Sequence, residues 1–394
     1  MPHVSNPTLT QNPRGRHRLD EHLDDVAEVL RLDSTRRRTA ETAAGELYEW
    51  VQSDPGLQNL SPHLYPQGSF LIQTTVRPRD EGQDCDEFDL DMVIELREGW
   101  TGTPDLLFEL VWSRLRMHPI YGKYAIKKRR CVCIDFPGEF HMDVLPARPD
   151  LNRRSKGFAT AIEVPDRKLS DWKESDPRAF AEWFEQRCKD RLSERFLKAS
   201  MTPISEDYGF GLDALRKSVQ LTKRHRDVVF NGDDDAPRSI VLTTLLADNY
   251  YGISSTYLAL CDSIDRVIAW AESAHGVPLV LNPVNEEENF AEAWDDKSFA
   301  IFKEYMADFS AKLKLLDKMH GPVDIGKCLA GLFDEGIAVA AMKRFGERQE
   351  QIFVDRKARY DPKSNCEIVV PSGVASAILG ISTRAVPKGT NFGE

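Results

Sequence analysis

The sequence predicts an α+β protein with two lobes, in which a small mixed sheet with helices is followed by a helical lobe. Short apolar segments with period-2 alternation are confined to residues 64–145, whereas helical periodicity dominates after residue 165. The chain has 394 residues, enough for two or three domains or for one large two-lobed unit. Hydrophobic residues make up 41% and charged residues 29%, which is a globular composition.

The N-terminal part of the chain predicts a flexible start followed by helices. Residues 1–18 contain neither the apolar segment of a secretory signal nor an amphipathic pattern. Between residues 20 and 53, charged and apolar residues alternate at helical spacing and predict one or two helices that end at Asp54-Pro55-Gly56. We expect these helices to brace both lobes.

Three segments with strand periodicity follow. They are FDLDMVIEL at 88–96, CVCIDF at 131–136 and FHMDVL at 140–145. The last two flank the turn signal Pro137-Gly138-Glu139, which predicts a hairpin or adjacent strands. Between the first and second strands, residues 104–119 predict a helix that opens with a proline and ends before another.

The second half of the chain is expected to be helical throughout, with no strand after about residue 165. The periodicity predicts helices at 177–199, 212–230, 238–250, 254–274, 289–320 and 324–359. The predicted organisation is a flexible segment at 1–18, helices with the α+β module at 19–165, a helical lobe at 166–380 and a flexible tail at 381–394.

Charge and cysteine content exclude several classes of protein. Lys and Arg number 52 and Asp and Glu 63, so a net charge of −11 gives no global attraction for nucleic acid or an anionic membrane. No apolar run reaches the roughly 18–20 residues of a membrane helix. The seven scattered cysteines fit free thiols in a reducing cytoplasm. We therefore expect a cytoplasmic protein with no membrane association and no stable nucleic-acid partner.

Two carboxylates on one predicted strand are the most informative feature. Side chains alternate along a strand, so Asp89 and Asp91 share one face while Leu90 points to the other. Two close like charges repel unless a cation lies between them, and Mg²⁺ prefers carboxylate and phosphate oxygens together. Asp143 on a second strand would complete a metal-binding triad. An Asp-x-Asp pair on a solvent-facing strand is the plain alternative.

A glycine-serine turn precedes this strand. Gln67, Gly68 and Ser69 lie between a short extended segment and an apolar one. A glycine lets the backbone approach a phosphate closely, and a serine hydroxyl and exposed N–H groups can donate to its oxygens. The turn is therefore a candidate phosphate-binding element.

These motifs resemble those of the polymerase-β-like nucleotidyltransferases, in the order Gly68-Ser69, Asp89-x-Asp91 and Asp143. Four further segments are similar to one branch, the bacterial cGAS/DncV-like nucleotidyltransferases (CD-NTases). They are KLSDW with DPRAFAEWFEQR (read as the first helices of the lobe), LRKSVQLTKRHRD, PRSIVLTTLL and NPVNEEENFAEAW. The resemblance covers roughly residues 36–310.

The resemblance implies a bilobed fold, a nucleotidyltransferase palm with a mixed sheet plus a helical C-terminal lobe. It also implies a cyclic oligonucleotide synthase that joins nucleoside triphosphates by Mg²⁺-dependent nucleotidyl transfer with pyrophosphate release. The product would be a second messenger in anti-phage (CBASS) defence. The implied metal ligands are two Mg²⁺ ions, which Mn²⁺ could replace. The implied nucleotide is ATP, with GTP or pyrimidine nucleotides as alternatives. Operon-encoded effector and conjugating proteins are implied partners, the latter acting on the tail at 388–394.

Residue roles follow from the same resemblance. Gln67, Gly68 and Ser69 would hold the donor triphosphate. Asp89 and Asp91 would bind both metals. Asp143 would bind the metal beside the attacking hydroxyl and help remove the proton of that hydroxyl. Lys223 would contact the triphosphate, with Ser239 nearby. Asn282 would face a base.

Each lobe residue has a plain alternative. Lys223 would lie on a solvated basic face, Ser239 would cap a helix, and Asn282 would belong to a turn. Asn282 also stands where the branch often has Asp, which leaves base choice open because an amide donates as well as accepts. The basic run at 127–130 is read as a solvated strand edge, with a nucleic-acid patch as the alternative. The acidic link at 79–87 has no assigned role.

Three other functions stay open at this stage. A different nucleotidyltransferase on the same palm would modify a small molecule, a protein or an RNA end. A non-catalytic nucleotide-binding module would share the pocket without turnover. A synthase that stays off until a phage-derived ligand binds would resemble such a module in vitro.

Overall fold

The computed structural model describes residues 17–79, 88–97, 100–136, 140–189, 213–354, 358–361, 366–369 and 384–385, with side chains up to residue 351. Three predicted features lie outside these residues. They are the flexible ends, except for residues 17–18 and 384–385, the turn at 137–139, and the acidic link at 79–87, except for its first residue.

The helices have clear sequence boundaries, because Asp, Thr or Ser caps many of their first turns. They are α1 (Asp20–Leu30), α2 (Ser34–Ser53), α3 (Gly68–Leu71), α4 (Pro104–Arg116), α5 (Leu151–Ser155), α6 (Pro177–Cys188), α7 (Ala214–Phe230), α8 (Ser239–Asp248), α9 (Thr256–Ser273), α10 (Asp296–Asp317), α11 (Pro322–Phe333) and α12 (Glu335–Val354).

The strands form a seven-stranded mixed sheet and two small sheets. They are β1 (Pro62–Pro66), β2 (Phe88–Leu96), β3 (Ala125–Lys127), β4 (Val132–Phe136), β5 (Phe140–Pro149), β6 (Ile162–Asp166), β7 (Asp171–Ser175), β8 (Leu281–Asn282), β9 (Asn285–Asn289), β10 (Ala358–Asp361), β11 (Cys366–Val369) and β12 (Arg384–Ala385).

The large sheet has the order β1-β2-β5-β4-β3, and β6 joins β5 to β7. Strands β2 and β5 are parallel, whereas the other pairs are antiparallel. The predicted strand 88–96 is confirmed, and β4 and β5 pair as adjacent antiparallel strands as predicted. The mixed sheet followed by helices confirms the α+β fold.

One face of this sheet builds the palm core. Phe88, Leu90 and Met92 of β2 are buried, as are Phe140 and Met142 of the paired β5. These side chains pack with apolar residues of α2 and α4 in one cluster. The alternation of strand side chains leaves the polar positions of β2 and β5 on the other face.

A second apolar core lies in the helical lobe. It contains buried residues of α6 to α12 and also Leu23, Val26 and Leu30 of α1. Asp25 of α1 is buried and forms a bidentate ion pair with Arg348 of α12 at 2.7 and 2.6 Å. Helix α1 therefore belongs to the lobe core and α2 to the palm core, so the N-terminal helices contribute to both, as expected.

Several predictions for the second half are wrong. Strand β7 lies at 171–175, where the KLSDW motif predicted a helix, because β6 offers it a complete antiparallel ladder. The predicted helix 289–320 begins at Asp296, since Asn289 pairs in the β8–β9 hairpin and Asp295 caps the helix after a turn. The predicted helix 324–359 is interrupted at Asp334, whose φ of 92° no α-helix accommodates. The part of helix 177–199 after residue 189 lies outside the described residues.

None of the helices that the structure describes has both the length and the apolar character that crossing a bilayer requires.

Candidate active site

A cavity of about 570 Å³ separates the sheet from the helical lobe. Its wall contains predicted site residues from both sides, namely Gln67, Gly68, Ser69, Asp89 and Asp91 from the palm and Lys223, Ser239 and Asn282 from the lobe. Asp143 is the one predicted site residue that the described cavity wall does not include. The sequence thus brings eight of its nine candidates to one cavity.

The register of β2 and β5 aligns the three aspartates. Asp91 lies opposite Asp143, and Asp89 lies opposite His141. Paired residues of adjacent strands direct their side chains to the same face, and alternate residues of one strand do likewise. Asp89, Asp91 and Asp143 therefore share the sheet face that points away from the palm core.

The aspartates interact with one another electrostatically. Burial, together with the charges of Asp89 and Asp143, raises the pKa of Asp91 to about 6 against the opposing effects of Lys128 and Lys223. Lys128 donates to both carboxylate oxygens of Asp143, at 3.0 and 3.2 Å. Asp91 therefore interacts with both neighbouring carboxylates, and Asp143 is paired with Lys128.

The chemistry of these side chains fits a divalent cation, because carboxylate oxygens are the ligands that Mg²⁺ and Mn²⁺ prefer. Within the described part of the chain, no three His, Cys, Asp or Glu side chains already gather their donor atoms into a metal site. The carboxylate of Asp143 is instead paired with Lys128. The β2–β5 register aligns the three backbone positions on one face.

Gly68 brings the turn against Asp91. Its φ is +60°, and a Cβ at this position would lie 2.5 Å from Oδ2 of Asp91, so a larger residue meets both backbone strain and a clash. The N–H of Gln67 donates to the carbonyl of Asp91 at 2.8 Å. The hydroxyls of Ser69 and Thr75 lie 3.1 Å apart and hydrogen bond. The turn is therefore fixed directly on the carboxylate strand.

Helix α7 fixes the loop that follows this turn. Arg216, Gln220, Lys223 and Arg224 recur at helical spacing, and each donates to backbone carbonyls of the loop at 72–78. Lys223 is buried, which lowers its pKa to about 8, and it also donates to the hydroxyl of the loop residue 74 at 3.1 Å. The interpretation of Lys223 as part of a solvated face is wrong.

Ser239 and Asn282 are both held by side-chain partners. The hydroxyl of Ser239 accepts a hydrogen bond from Arg226, and α8 has no side-chain cap, so the capping alternative is wrong. Asn282 is buried, and its carbonyl oxygen accepts from the N–H of Val284 at 3.1 Å, as in the turn alternative. Its amide nitrogen donates to Oε2 of Glu288 at 2.8 Å.

Sequence reasoning missed three residues of this region. Glu288 and Phe290 line the cavity, and Lys128 binds Asp143. The run of three glutamates in NPVNEEENF was visible, but only the β8–β9 turn shows which of them faces the cavity. The basic run at 127–130 gave no signal that Lys128 in particular binds Asp143.

All four residues of the basic run at 127–130 form ion pairs. Its members bind Glu109, Asp143 and Asp166 at 2.6, 3.0 and 2.8–2.9 Å. These contacts support neither a free phosphate-binding patch nor a fully solvated edge.

The nearby thiols are reduced. Cys131 and Cys133 are free, and burial raises the pKa of both, that of Cys133 to about 11. The nearby Asp143 charge acts in the same direction. The thiols are therefore neutral at physiological pH, and both are free, as expected from the sequence.

Known proteins are similar to this chain in sequence and in fold. Residues 18–188 match the Second Messenger Oligonucleotide or Dinucleotide Synthetase (SMODS) domain. A Roseivirga ehrenbergii protein named c-di-GMP synthase is 30% identical over 354 residues, which are 87% of this chain and 91% of that protein.

Solved structures have the same fold. The Bradyrhizobium diazoefficiens CD-NTase CdnG, in complex with GTP, is similar with a TM-score of 0.66 at 19% identity, over 84% of this chain and all of that one. The Vibrio cholerae cyclic AMP-GMP synthase DncV is similar with a TM-score of 0.52 at 17% identity, over 82% and 87% of the two chains.

The polymerase-β-like fold and the aligned carboxylates are those of a nucleotidyltransferase. The identity to the Roseivirga ehrenbergii protein, which extends over most of both chains, narrows the class to one family. The chain belongs to the bacterial CD-NTase family, the enzymes that synthesise cyclic oligonucleotides and use divalent metals for the transfer.

Proposed function

We propose that this chain makes c-di-GMP from two molecules of GTP. The register of β2 and β5, which aligns Asp89, Asp91 and Asp143 on the cavity side of the sheet, carries the transfer chemistry. The Roseivirga ehrenbergii relative supports the choice of product, because its similarity extends over most of both chains.

The three aspartates would hold two Mg²⁺ ions, with Mn²⁺ as a substitute. When bound, these ions neutralise charge on the transferring phosphate and on the oxygens that attack and leave. Gln67, Gly68 and Ser69 would bind the donor triphosphate through backbone N–H groups and the hydroxyl. Lys223, which lies on α7, would add a positive charge beside the same phosphates.

The chemistry consists of two transfers. A ribose hydroxyl of one GTP attacks the α-phosphorus of the other, a new phosphorus–oxygen bond forms, and the bond to pyrophosphate breaks. A carboxylate oxygen of Asp143 accepts the hydroxyl proton. The linear intermediate then repeats the attack within itself, which closes the ring and releases the second pyrophosphate.

The product would act as a cytoplasmic second messenger in CBASS anti-phage defence. Effector and conjugating proteins encoded in the same operon would be its partners. In this proposal the palm with its N-terminal helices spans 19–165, the helical lobe spans 166–380, and nucleotides bind between them.

A product assay tests the proposal. The purified chain is incubated with all four nucleoside triphosphates and Mg²⁺, treated with phosphatase and analysed by mass spectrometry. We expect a phosphatase-resistant cyclic dimer of GMP from the wild type, none from Asp91→Asn, and wild-type amounts from Asp135→Asn, which removes a nearby charge on the neighbouring strand β4.

Two outcomes would contradict the proposal. Linear or conjugated products would indicate a different nucleotidyltransferase. Absence of turnover with every nucleotide mixture, with Mg²⁺ or Mn²⁺ and with infected-cell lysate, would indicate a non-catalytic module.

A further inference from the structure

Glu288 places a carboxylate on the lobe wall of the cavity. It is half-buried on β9, whereas its strand neighbours Glu286 and Glu287 are exposed. Glu288 lines the cavity together with Phe290. Within the described part of the chain, no Lys or Arg side chain forms an ion pair with Glu288. The carboxylate is therefore available to a ligand in the cavity.

Asn282 orients this carboxylate. Its amide nitrogen donates to Oε2 of Glu288 at 2.8 Å, while its carbonyl oxygen is bonded to the N–H of Val284 at 3.1 Å. Asn282 is buried, so these bonds are shielded from solvent. The group that faces a nucleotide here is consequently the acceptor-only carboxylate of Glu288, and Asn282 is its positioning residue.

The two oxygens of a carboxylate match one nucleobase edge. Guanine presents two adjacent donors, N1–H and the N2 amine, whereas adenine and cytosine present a donor beside an acceptor and uracil a donor between two acceptors. A carboxylate accepts from both guanine donors at once, and such charge-assisted paired hydrogen bonds are strong. Against any of the other bases, at least one carboxylate oxygen faces either an acceptor or no hydrogen-bonding group at all.

Phe290 supplies a surface for the base itself. It follows Glu288 by two residues and lines the same cavity. Its ring packs edge-on against the buried Phe180, with centroids 6.0 Å apart, which fixes its position. Base stacking on an aromatic ring stabilises binding without regard to sequence, so selection falls to the edge contact.

We propose that Glu288 reads the donor edge of guanine and makes this site selective for GTP. The inference rests on the proposed function, because it requires a nucleoside triphosphate in the cavity. It adds the residue that selects the base and gives Asn282 a role that does not involve direct contact with the base.

Nucleotide binding by two matched variants tests the inference. Glu288→Gln replaces the carboxylate, and Glu286→Gln makes the same charge change at an exposed position of the same strand. Non-hydrolysable analogues of GTP, ITP and ATP are titrated with Mg²⁺ present. ITP is informative because its base lacks only the N2 amine.

We expect the wild type to bind the GTP analogue about 10–100-fold more tightly than the ITP and ATP analogues. In Glu288→Gln this preference should fall to within about threefold, while Glu286→Gln should keep it. Equal wild-type affinities for the GTP and ITP analogues would overturn the inference, and this result needs no variant to fold. An unchanged preference in Glu288→Gln at wild-type thermal stability, or an equal loss in Glu286→Gln, would also overturn it.

Product analysis separates this inference from the proposed function. A wild type that selects the GTP analogue but forms no cyclic product supports the role of Glu288 and contradicts the synthase. A wild type that cyclises ATP as efficiently as GTP contradicts the role of Glu288 and leaves nucleotidyl transfer intact.

Discussion

The two walls of the cavity are built in different ways. On the palm wall, backbone pairing sets the positions, since the register of β2 and β5 aligns Asp91 with Asp143 and Gly68 packs against Asp91. On the lobe wall, side-chain partners set the positions, as in the pair of Asn282 with Glu288. A wall fixed by the backbone tolerates loss of a charge, whereas a wall fixed by side chains loses geometry with each partner removed.

The largest expected effect is that of Asp89→Asn on the palm wall. Synthesis should fall by at least about 1000-fold, because the proposed function makes Asp89 a metal ligand. The melting temperature in metal-free buffer should stay the same or rise, since the change removes a charge that repels Asp91. Pyrophosphate release and thermal unfolding measure the two quantities.

Asp135→Asn is the control for this variant and should keep both values. A lower melting temperature of Asp89→Asn would mean that Asp89 has a structural role. The contrast between a backbone-fixed wall and a partner-fixed wall would then be wrong.

The next largest effect is that of Gly68→Ala. The added Cβ meets Oδ2 of Asp91 and the left-handed backbone, so kcat should fall about 100-fold and stability by about 1–2 kcal/mol. Gly45→Ala, in open space on α2, should keep activity and add up to about 1 kcal/mol of stability. Steady-state kinetics and urea unfolding provide the comparison. Equal kcat values for the two variants would contradict the tight packing of the turn on Asp91.

Acid should weaken the lobe through His225 of α7. The ring stacks on Phe309 at 4.1 Å, and burial lowers its pKa to about 4 although a hydrogen bond to the carbonyl of Leu332 opposes the shift. The unfolded chain binds the proton near pH 6.5 and the folded chain only near pH 4, so stability falls as pH decreases through this window. Between pH 7.5 and 5 we expect a loss of about 2 kcal/mol from this group.

Urea unfolding at the two pH values measures this loss. His225→Phe should show a pH dependence smaller by that amount, while His320→Phe, at an exposed position, should match the wild type. The same pH dependence in all three proteins would show that His225 is not the group responsible.

The smallest expected effect is that of Lys223→Met on the lobe wall. Because the proposed function places Lys223 beside the triphosphate, loss of its charge should raise KM for GTP about 10-fold and change kcat less than about threefold. Lys217→Met, on the same helix, removes an ion pair with Asp24 away from the cavity and should leave KM unchanged. A rise in KM for both variants would indicate a general effect of α7 on the lobe.

The palm could be predicted from the sequence because period-2 patterns determine which side chains share a face. Asp89 and Asp91 came from such a pattern, and Gly68 came from the glycine-serine turn before the strand. The parallel pairing that sets Asp91 opposite Asp143 is a long-range contact, and no local pattern reports its register.

The lobe wall was predicted less completely for the same reason. The partners of Lys223, Ser239 and Asn282 lie in other segments or across a hairpin turn, so helical periodicity alone left their roles open. Strand β7 was missed because its residues alternate weakly and pairing with β6 stabilises it. Glu288 was missed because three consecutive glutamates differ only in where the turn directs them.

Binding of Mn²⁺, measured by electron paramagnetic resonance with a non-hydrolysable GTP analogue, tests the central claim most directly. The claim is that the β2–β5 register lets Asp89, Asp91 and Asp143 hold a divalent cation together. We predict that Asp143→Asn weakens Mn²⁺ binding at least about 10-fold, whereas Asp135→Asn binds like the wild type. Wild-type Mn²⁺ affinity in Asp143→Asn would contradict the claim.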